Sequence, residues 1–282
     1  MFAQDLPSQA PLPAVAALLH DVERNQDSAE NHKRDYTYHL FKQTQDLDKN
    51  GNVKKTVTEE DESFRIDGIL VNRAVARNGK ALTPDEVKKE NERIDKEVAK
   101  EKEKREKLKN EGKATDANGN QELSVSRILE LGEFSNERRV ALNGRPTIVV
   151  DYAGDPKAKT KNQFETVVRD LVGTVWIDEA DRTIVQVQGH FLNDFKVAGG
   201  LLADIQKNSN FSASFVKIND EAWLPSQFNG EGRVRILLFG GFNGKMKTVA
   251  SDYRKYRAKA TIVQIGADAP PDASPGTYTD SR

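Results

Sequence analysis

The stretch that most narrows the choice of fold runs from Phe164 to Phe191, FETVVRDLVGTVWIDEADRTIVQVQGHF. Phe164, Val167, Val168 and Leu171 have helical spacing and fall on one side, and Thr160 with Gln163 ahead of them is spaced as a capping box. Two apolar strands follow, joined by a tight turn, with Trp176 at the centre of the first. Simple alternation puts Val175, Ile177, Val185, Val187 and Phe191 on one face, and Trp176 and Ile184 on the other with Gln186 and Gln188. A sheet wetted on one side alternates more cleanly than this. Part of the second face must therefore be covered by helices or line an internal cavity. Phe211, Phe215, Val216 and Ile218 repeat the two-sided apolarity, as do Leu237, Leu238 and Phe239.

The flanking chain is built for sheets as well. After an extended lead-in with three prolines, Val15, Leu18, Leu19 and Val22 form a one-sided helix that ends before Tyr36. Tyr36, Tyr38 and Leu40 alternate with polar residues, Asn50-Gly51 signals a hairpin, and a return strand runs from Val53 to Ala76 with a bulge expected at Gly68. Val125, Ile128 and Leu129 make a short helix that Gly132 is placed to end. A second hairpin runs 134–142 and 146–152 around Asn143-Gly144. Gly199-Gly200 precedes a short apolar turn, Leu201, Leu202 and Ile205. Later strands are expected at 211–218, at 222–239 with a break near Gly230, at 245–256 and at 259–265. Nine or ten strands joined mostly by hairpins, with three short one-sided helices, predict an α+β fold: one curved antiparallel sheet with helices on one face.

Between Thr83 and Glu111 the character changes, with ten Lys/Arg and ten Asp/Glu. Thr83-Pro84-Asp85-Glu86 is a helix start, with Thr as cap and Pro at the first position. Opposite charges recur four apart at Asp85/Lys89, Glu92/Lys96, Glu101/Arg105, Glu103/Lys107 and Lys107/Glu111. Val87, Ile94, Val98 and Leu108 are too sparse for a coiled-coil seam. This predicts a solvated helical arm, with docking of a protein partner as the alternative. The whole reads as a lead-in over 1–13, one domain over 14–266 carrying a helical insertion at 83–131, and a disordered tail over 267–282.

Composition closes several routes. A formal net charge of −1 on 282 residues gives no field that draws nucleic acid. No run of apolar residues is long enough to span a bilayer. The absence of cysteine excludes disulfides, thiolate catalysis and thiolate metal sites. Met1-Phe2-Ala3-Gln4-Asp5 resembles the end of a cleaved signal peptide, which points to an exported protein, with a cytoplasmic protein with a frayed N-terminus as the alternative. Asp46 to Gly51 imitates the start of a calcium loop, but Val57 stands where the bidentate Glu belongs, so the turn reading prevails. No nucleophile elbow, HExxH, phosphate loop or zinc spacing is present, and His20, His32, His39 and His190 are scattered. No catalytic residue, metal site or cofactor is expected. Gly240-Gly241 and Gly244 read as turn glycines, and Arg233 and Arg235 as the wet face of a strand.

The order of elements resembles the LolA-like family of bacterial outer-membrane lipoprotein carriers. The resemblance is carried by the first helix, the strand opening Tyr36-Thr37-Tyr38 and Gly173-Thr174-Val175-Trp176-Ile177-Asp178 entering a hairpin. Ala222-Trp223-Leu224-Pro225-Ser226 and Ser251-Asp252-Tyr253-Arg254-Lys255-Tyr256 complete it, over residues 14–258 with the charged arm as an insertion. It implies an unclosed half-barrel with helices across the concave side, a hydrophobic cavity between them, and a periplasmic carrier of a lipid or lipoprotein acyl chain without catalysis. Tyr36, Tyr38, Trp176, Ile184, Phe211 and Phe215 are the candidate ligand-lining residues. The alternative is an envelope sensor that docks a partner through the charged arm.

Overall fold

A computed structural model of the chain describes residues 11–48, 50–111, 124–197, 203–236 and 240–256. The expected strand at 259–265, the tail at 267–282 and most of the lead-in lie outside the described residues. Helix α1 (Val15–Lys33) is followed by β1 (Tyr36–Leu47), β2 (Val53–Ile66), β3 (Ile69–Arg77) and β4 (Lys80–Ala81). Then come α2 (Pro84–Asn110), α3 (Val125–Leu131), β5 (Gly132–Leu142), β6 (Arg145–Gly154) and α4 (Gln163–Arg169). The chain continues through β7 (Leu171–Asp178), β8 (Thr183–Phe191), β9 (Phe195–Val197), β10 (Ala203–Ile205), β11 (Asn210–Ile218), β12 (Ala222–Ile236) and β13 (Gly240–Lys255).

The strands form one antiparallel sheet in the order β4-β3-β2-β1-β13-β12-β11-β8-β7-β6-β5, with β10 paired to β12 and β9 to β10. The sheet is open, because its outermost strands β4 and β5 are not joined to each other. It is also curved. Register shifts at Thr37/His39, Glu60/Asp61, Ser135/Arg138, Trp176/Ile177 and Ser214/Phe215 each add local bend and twist, which is how a sheet this wide coils instead of lying flat. The expected α+β half-barrel is what the chain forms.

Several local expectations change. The return strand is two strands, β2 and β3, because Asp67 and Gly68 both take positive φ (50° and 75°) and make a two-residue hairpin turn. Asn78-Gly79 repeats the device and creates β4, and with the short strands β9 and β10 the described residues form thirteen strands. At the first hairpin the Asp48 carboxylate accepts the N–H of Asn50 at 2.8 Å and of Asn52 at 2.9 Å, which occupies it as a turn cap. Gly132 ends α3 as expected, as the residue that follows Leu131. It opens β5 with extended backbone, and glycine is required because a Cβ there would lie 2.6 Å from Ala153 O. The cap of α4 is Asn162, whose side chain accepts the Glu165 N–H at 2.9 Å, in place of Thr160. That helix stops at Arg169, and Leu171 begins β7. Strand β12 runs through Gly230 unbroken, paired to Phe211 and Met246, and of the expected apolar turn Ile205 belongs to strand β10, while Leu201 and Leu202 lie outside the described residues.

Two helices meet the sheet in different ways. Helix α1 crosses it from β5 to β12, and Leu18 and Leu19 are buried against Ile148, Val150 and Ile177. Helix α2 packs along β3 and is no solvated arm. Ile94 and Val98, one turn apart, are buried with Ile69 and Val71. Its polar residues meet backbone groups of β3: Glu90 accepts the Ala74 N–H at 3.0 Å, and Arg93 donates to Asn72 O at 2.6 Å. Just before the helix, Leu82 donates to Val75 O at 3.0 Å. An outlying strand whose backbone groups are occupied in this way offers less to another strand. Burial predicts the cost of truncation. Ile94→Ala should lower unfolding free energy by about 2–4 kcal/mol, whereas half-exposed Val87→Ala should change it by about 0.5 kcal/mol or less. Urea midpoints of the two variants check this.

Candidate functional site: an apolar cavity beneath the helices

The hairpin of β7 and β8 carries the floor of the cavity, and a bulge decides which residues it presents. Trp176 pairs with Gln186 but Ile177 pairs with Ile184, so one extra residue sits in β8. Beyond the bulge the alternation is reset, and Ile184 joins Val175 and Ile177 against the buried α1 cluster. Trp176, lying between Val175 and Ile177 in the strand, faces the other way and pairs with Val149 of β6.

Between this floor and the helices lies a cavity of about 320 Å³. Leu19 and Val22 of α1, Val125 and Ile128 of α3 and Val168 just ahead of β7 roof it, while Val175, Ile184, Val187 and Phe211 floor it. Phe134 and Tyr152 stand at one side with ring centroids 4.8 Å apart. Gly173 contributes bare backbone.

Glu23, Tyr152 and Thr174, three of the polar residues at the cavity, are engaged in the protein. Glu23 Oε1 accepts the Val125 N–H at 2.9 Å, tying α1 to the start of α3, and its other oxygen lies 3.1 Å from His20 Nδ1. The bond from Val125 holds the Glu23 carboxyl below its ordinary range. Tyr152 donates to Val168 O at 3.3 Å, and burial pushes its phenol up to about 12. Helices α3 and α4 are joined by Arg127, which donates to buried Glu165 at 2.7 Å and to Lys159 O at 2.6 Å.

Of the six residues expected to line a ligand site, the structure brings two together here, Ile184 and Phe211. Trp176 faces the opposite side of the sheet. Tyr36 is 2% exposed and packs with Ala222 and Leu224, its hydroxyl donating to Glu221 at 2.6 Å and accepting from Asn219 at 2.8 Å. Tyr38 packs with Leu40, Ala250 and Tyr253. The Lys33 ammonium lies 5.9 Å from the centroid of the Phe215 ring. Leu19, Val22, Val125 and Val187 were visible in sequence as one-sided apolar spacing, but nothing in it says that α1 and α3 share a roof. Phe134 and Tyr152 carried no such signal beyond their strand.

A second depression of about 540 Å³ borders Tyr36 and Tyr38 and is larger, but Arg34, Arg65, Arg73 and Arg254 line it beside Asp35, Glu62 and Asp252. Its mixed charge makes it a poor host for an apolar group. The four histidines stay apart: His20 meets Glu23, His32 bonds Ser28 O at 2.8 Å, and His39 lies 3.3 Å from Glu60. Among the described residues no three His, Asp or Glu are grouped to hold a metal ion, and no helix is long and apolar enough to cross a membrane.

Comparison with solved structures finds a domain of an outer membrane lipoprotein-sorting protein of Vibrio parahaemolyticus, at 10% identity over 85% of this chain and 93% of that one, TM-score 0.38. A LolA superfamily protein of Nitrosomonas europaea matches at 9% identity over 84% and 94%, TM-score 0.33. A DUF1329 family protein of Desulfovibrio piger matches at 10% over 83% and 92%, TM-score 0.30. The chain is similar to LolA superfamily structures. No family profile and no curated protein matches the sequence. With likenesses this distant, the cavity itself has to say what the chain can hold.

The roof contacts make stability depend on pH. Arg127 beside it, with the Lys161 N–H, holds the Glu165 carboxyl down at about 2, against an ordinary value of 4.5. A depressed carboxyl contributes stability that is full above its unfolded value and is lost as pH falls through its folded one. Stability should therefore decline between about pH 4.5 and 2. Glu165→Gln should flatten that decline in a series of urea midpoints against pH, while lowering stability at pH 7.

Proposed function

We propose that the chain is an exported, periplasmic binding protein of the carrier type, which holds the apolar part of a lipid or a lipoprotein acyl chain in this cavity and performs no chemistry on it. The observation that carries the reading is the cavity under α1, α3 and α4, whose described lining is almost wholly apolar. Such a site has the size and composition of a small-ligand pocket. A methylene takes nearly the volume of a water, about 30 Å³, so the space suits roughly ten chain atoms. At about 0.8 kcal/mol per buried methylene these supply roughly 8 kcal/mol before ordering costs, which corresponds to micromolar affinity at best.

Ile184 and Phe211 belong to the proposed site, joined by Leu19, Val22, Val175 and Val187. Tyr36, Tyr38, Trp176 and Phe215 have other neighbours. The alternative of a protein partner docked on α2 has the charged outer side of that helix to use, since Ile94 and Val98 are buried against β3.

Binding of the neutral probe N-phenyl-1-naphthylamine tests the reading. The delipidated protein should enhance its fluorescence with a dissociation constant in the micromolar range. Val187→Phe, which projects a ring into the space, should weaken binding about tenfold or more with the fold retained by circular dichroism. Trp176→Phe, on the far side of the sheet, should leave the affinity within about twofold. Absence of probe uptake by wild-type protein overturns the proposal.

A further inference from the structure

The charge around the cavity restricts which amphiphile it can take. Among its described lining residues are no lysine, arginine or histidine, and Glu23 is the one that is charged. Glu23 stays ionised at neutral pH because the Val125 N–H favours its carboxylate form. It is part-exposed, with 29% of its side chain accessible, so it sits where the apolar space meets water. The contact on its second oxygen is His20, whose ring nitrogen lies 3.1 Å away. The Val125 backbone amide donates to Glu23 itself and is not left over for an anion. A chain ending in a carboxylate would bring its head toward a like charge with no cation among those lining residues to meet it. An alcohol, amide or ester head carries no such penalty.

We infer that the cavity selects uncharged acyl chains, such as those in ester or amide linkage, over free fatty acids, and that Glu23 is the residue that sets this selectivity. The inference rests on the binding reading above. A tenfold difference in affinity corresponds to about 1.4 kcal/mol, a size that repulsion between like charges near a protein surface can supply.

The test is displacement of N-phenyl-1-naphthylamine at pH 8 by dodecan-1-ol and by dodecanoate, both kept below their aggregation limits. Wild-type protein should bind the alcohol about tenfold more tightly. Glu23→Gln keeps an oxygen that can accept the Val125 N–H, and it should bring dodecanoate to within about twofold of the alcohol. If the variant does not fold, salt replaces it: raising ionic strength screens the repulsion and should narrow the wild-type ratio. A ratio unmoved by Glu23→Gln, or in its place by salt, overturns the selectivity and leaves the binding reading intact. Failure of wild-type protein to bind either ligand or the probe overturns the binding reading instead.

Discussion

Everything on the helix-bearing side depends on Leu18 and Leu19 lying against Ile148, Val150 and Ile177. All five are nearly inaccessible to water. The contact joins α1, the first helix, to β6 and β7, strands more than a hundred residues later. Other contacts of α1 keep it there. Arg182 at the tip of the β7–β8 hairpin pairs with Asp21, Asn25 donates to Asp181 O, and Glu30 lies near Arg65 of β2. Asp181 in turn accepts from Trp223 Nε1 at 2.8 Å and pairs with Lys217 at 2.7 Å, which ties the same tip to β11 and β12. The cavity is what remains where this helix and the short ones beside it do not reach the sheet.

The large features of the fold could be read from the chain because they rest on local signals. Helical spacing in Val15 to Val22, the cap at Thr83 and the Asn-Gly turns each involve neighbours in sequence, and each leads to the element expected. The candidate site was harder because it turns on register. Alternation alone assigns Ile184 to the face of Trp176, and it would be right in an unbroken ladder. The bulge opposite Trp176 and Ile177 inserts one residue, and everything beyond it changes side. Tyr36 and Tyr38 lie away from this cavity, and sequence does not say so for another reason. Large aromatic residues at a strand start suit a ligand wall or a core equally well, and only the partners from Glu221, Asn219 and Tyr253 distinguish the two.

The charged segment shows how composition can hide a packing role. Counting charges over 83–111 points to solvent, yet Glu90, Ile94 and Val98 recur every fourth residue on one side and are buried. Two of the three suffice for an apolar seam because the helix also satisfies backbone groups of the strand beside it, which Glu90 and Arg93 are long enough to reach. Charge is useful here for the length and the hydrogen-bonding capacity of the side chains. A wholly apolar helix in the same place would leave Ala74 N–H and Asn72 O without those partners.

Around the cavity the polar groups serve the roof. Glu23 joins α1 to α3, Arg127 joins α3 to Glu165 of α4, and Tyr152 reaches Val168 O just ahead of the α4 boundary. The three helices are thus linked to each other by charge-assisted bonds and to the sheet largely by apolar contact. Apolar contact is non-directional and tolerates sliding, whereas a paired carboxylate and guanidinium hold their geometry. The α1 part of the roof is held over the floor in that second way too, by the Asp21–Arg182 pair at the β7–β8 hairpin tip. Under the proposed binding, an occupant replaces one apolar surface by another, with part-exposed Glu23 at the rim to meet its head group.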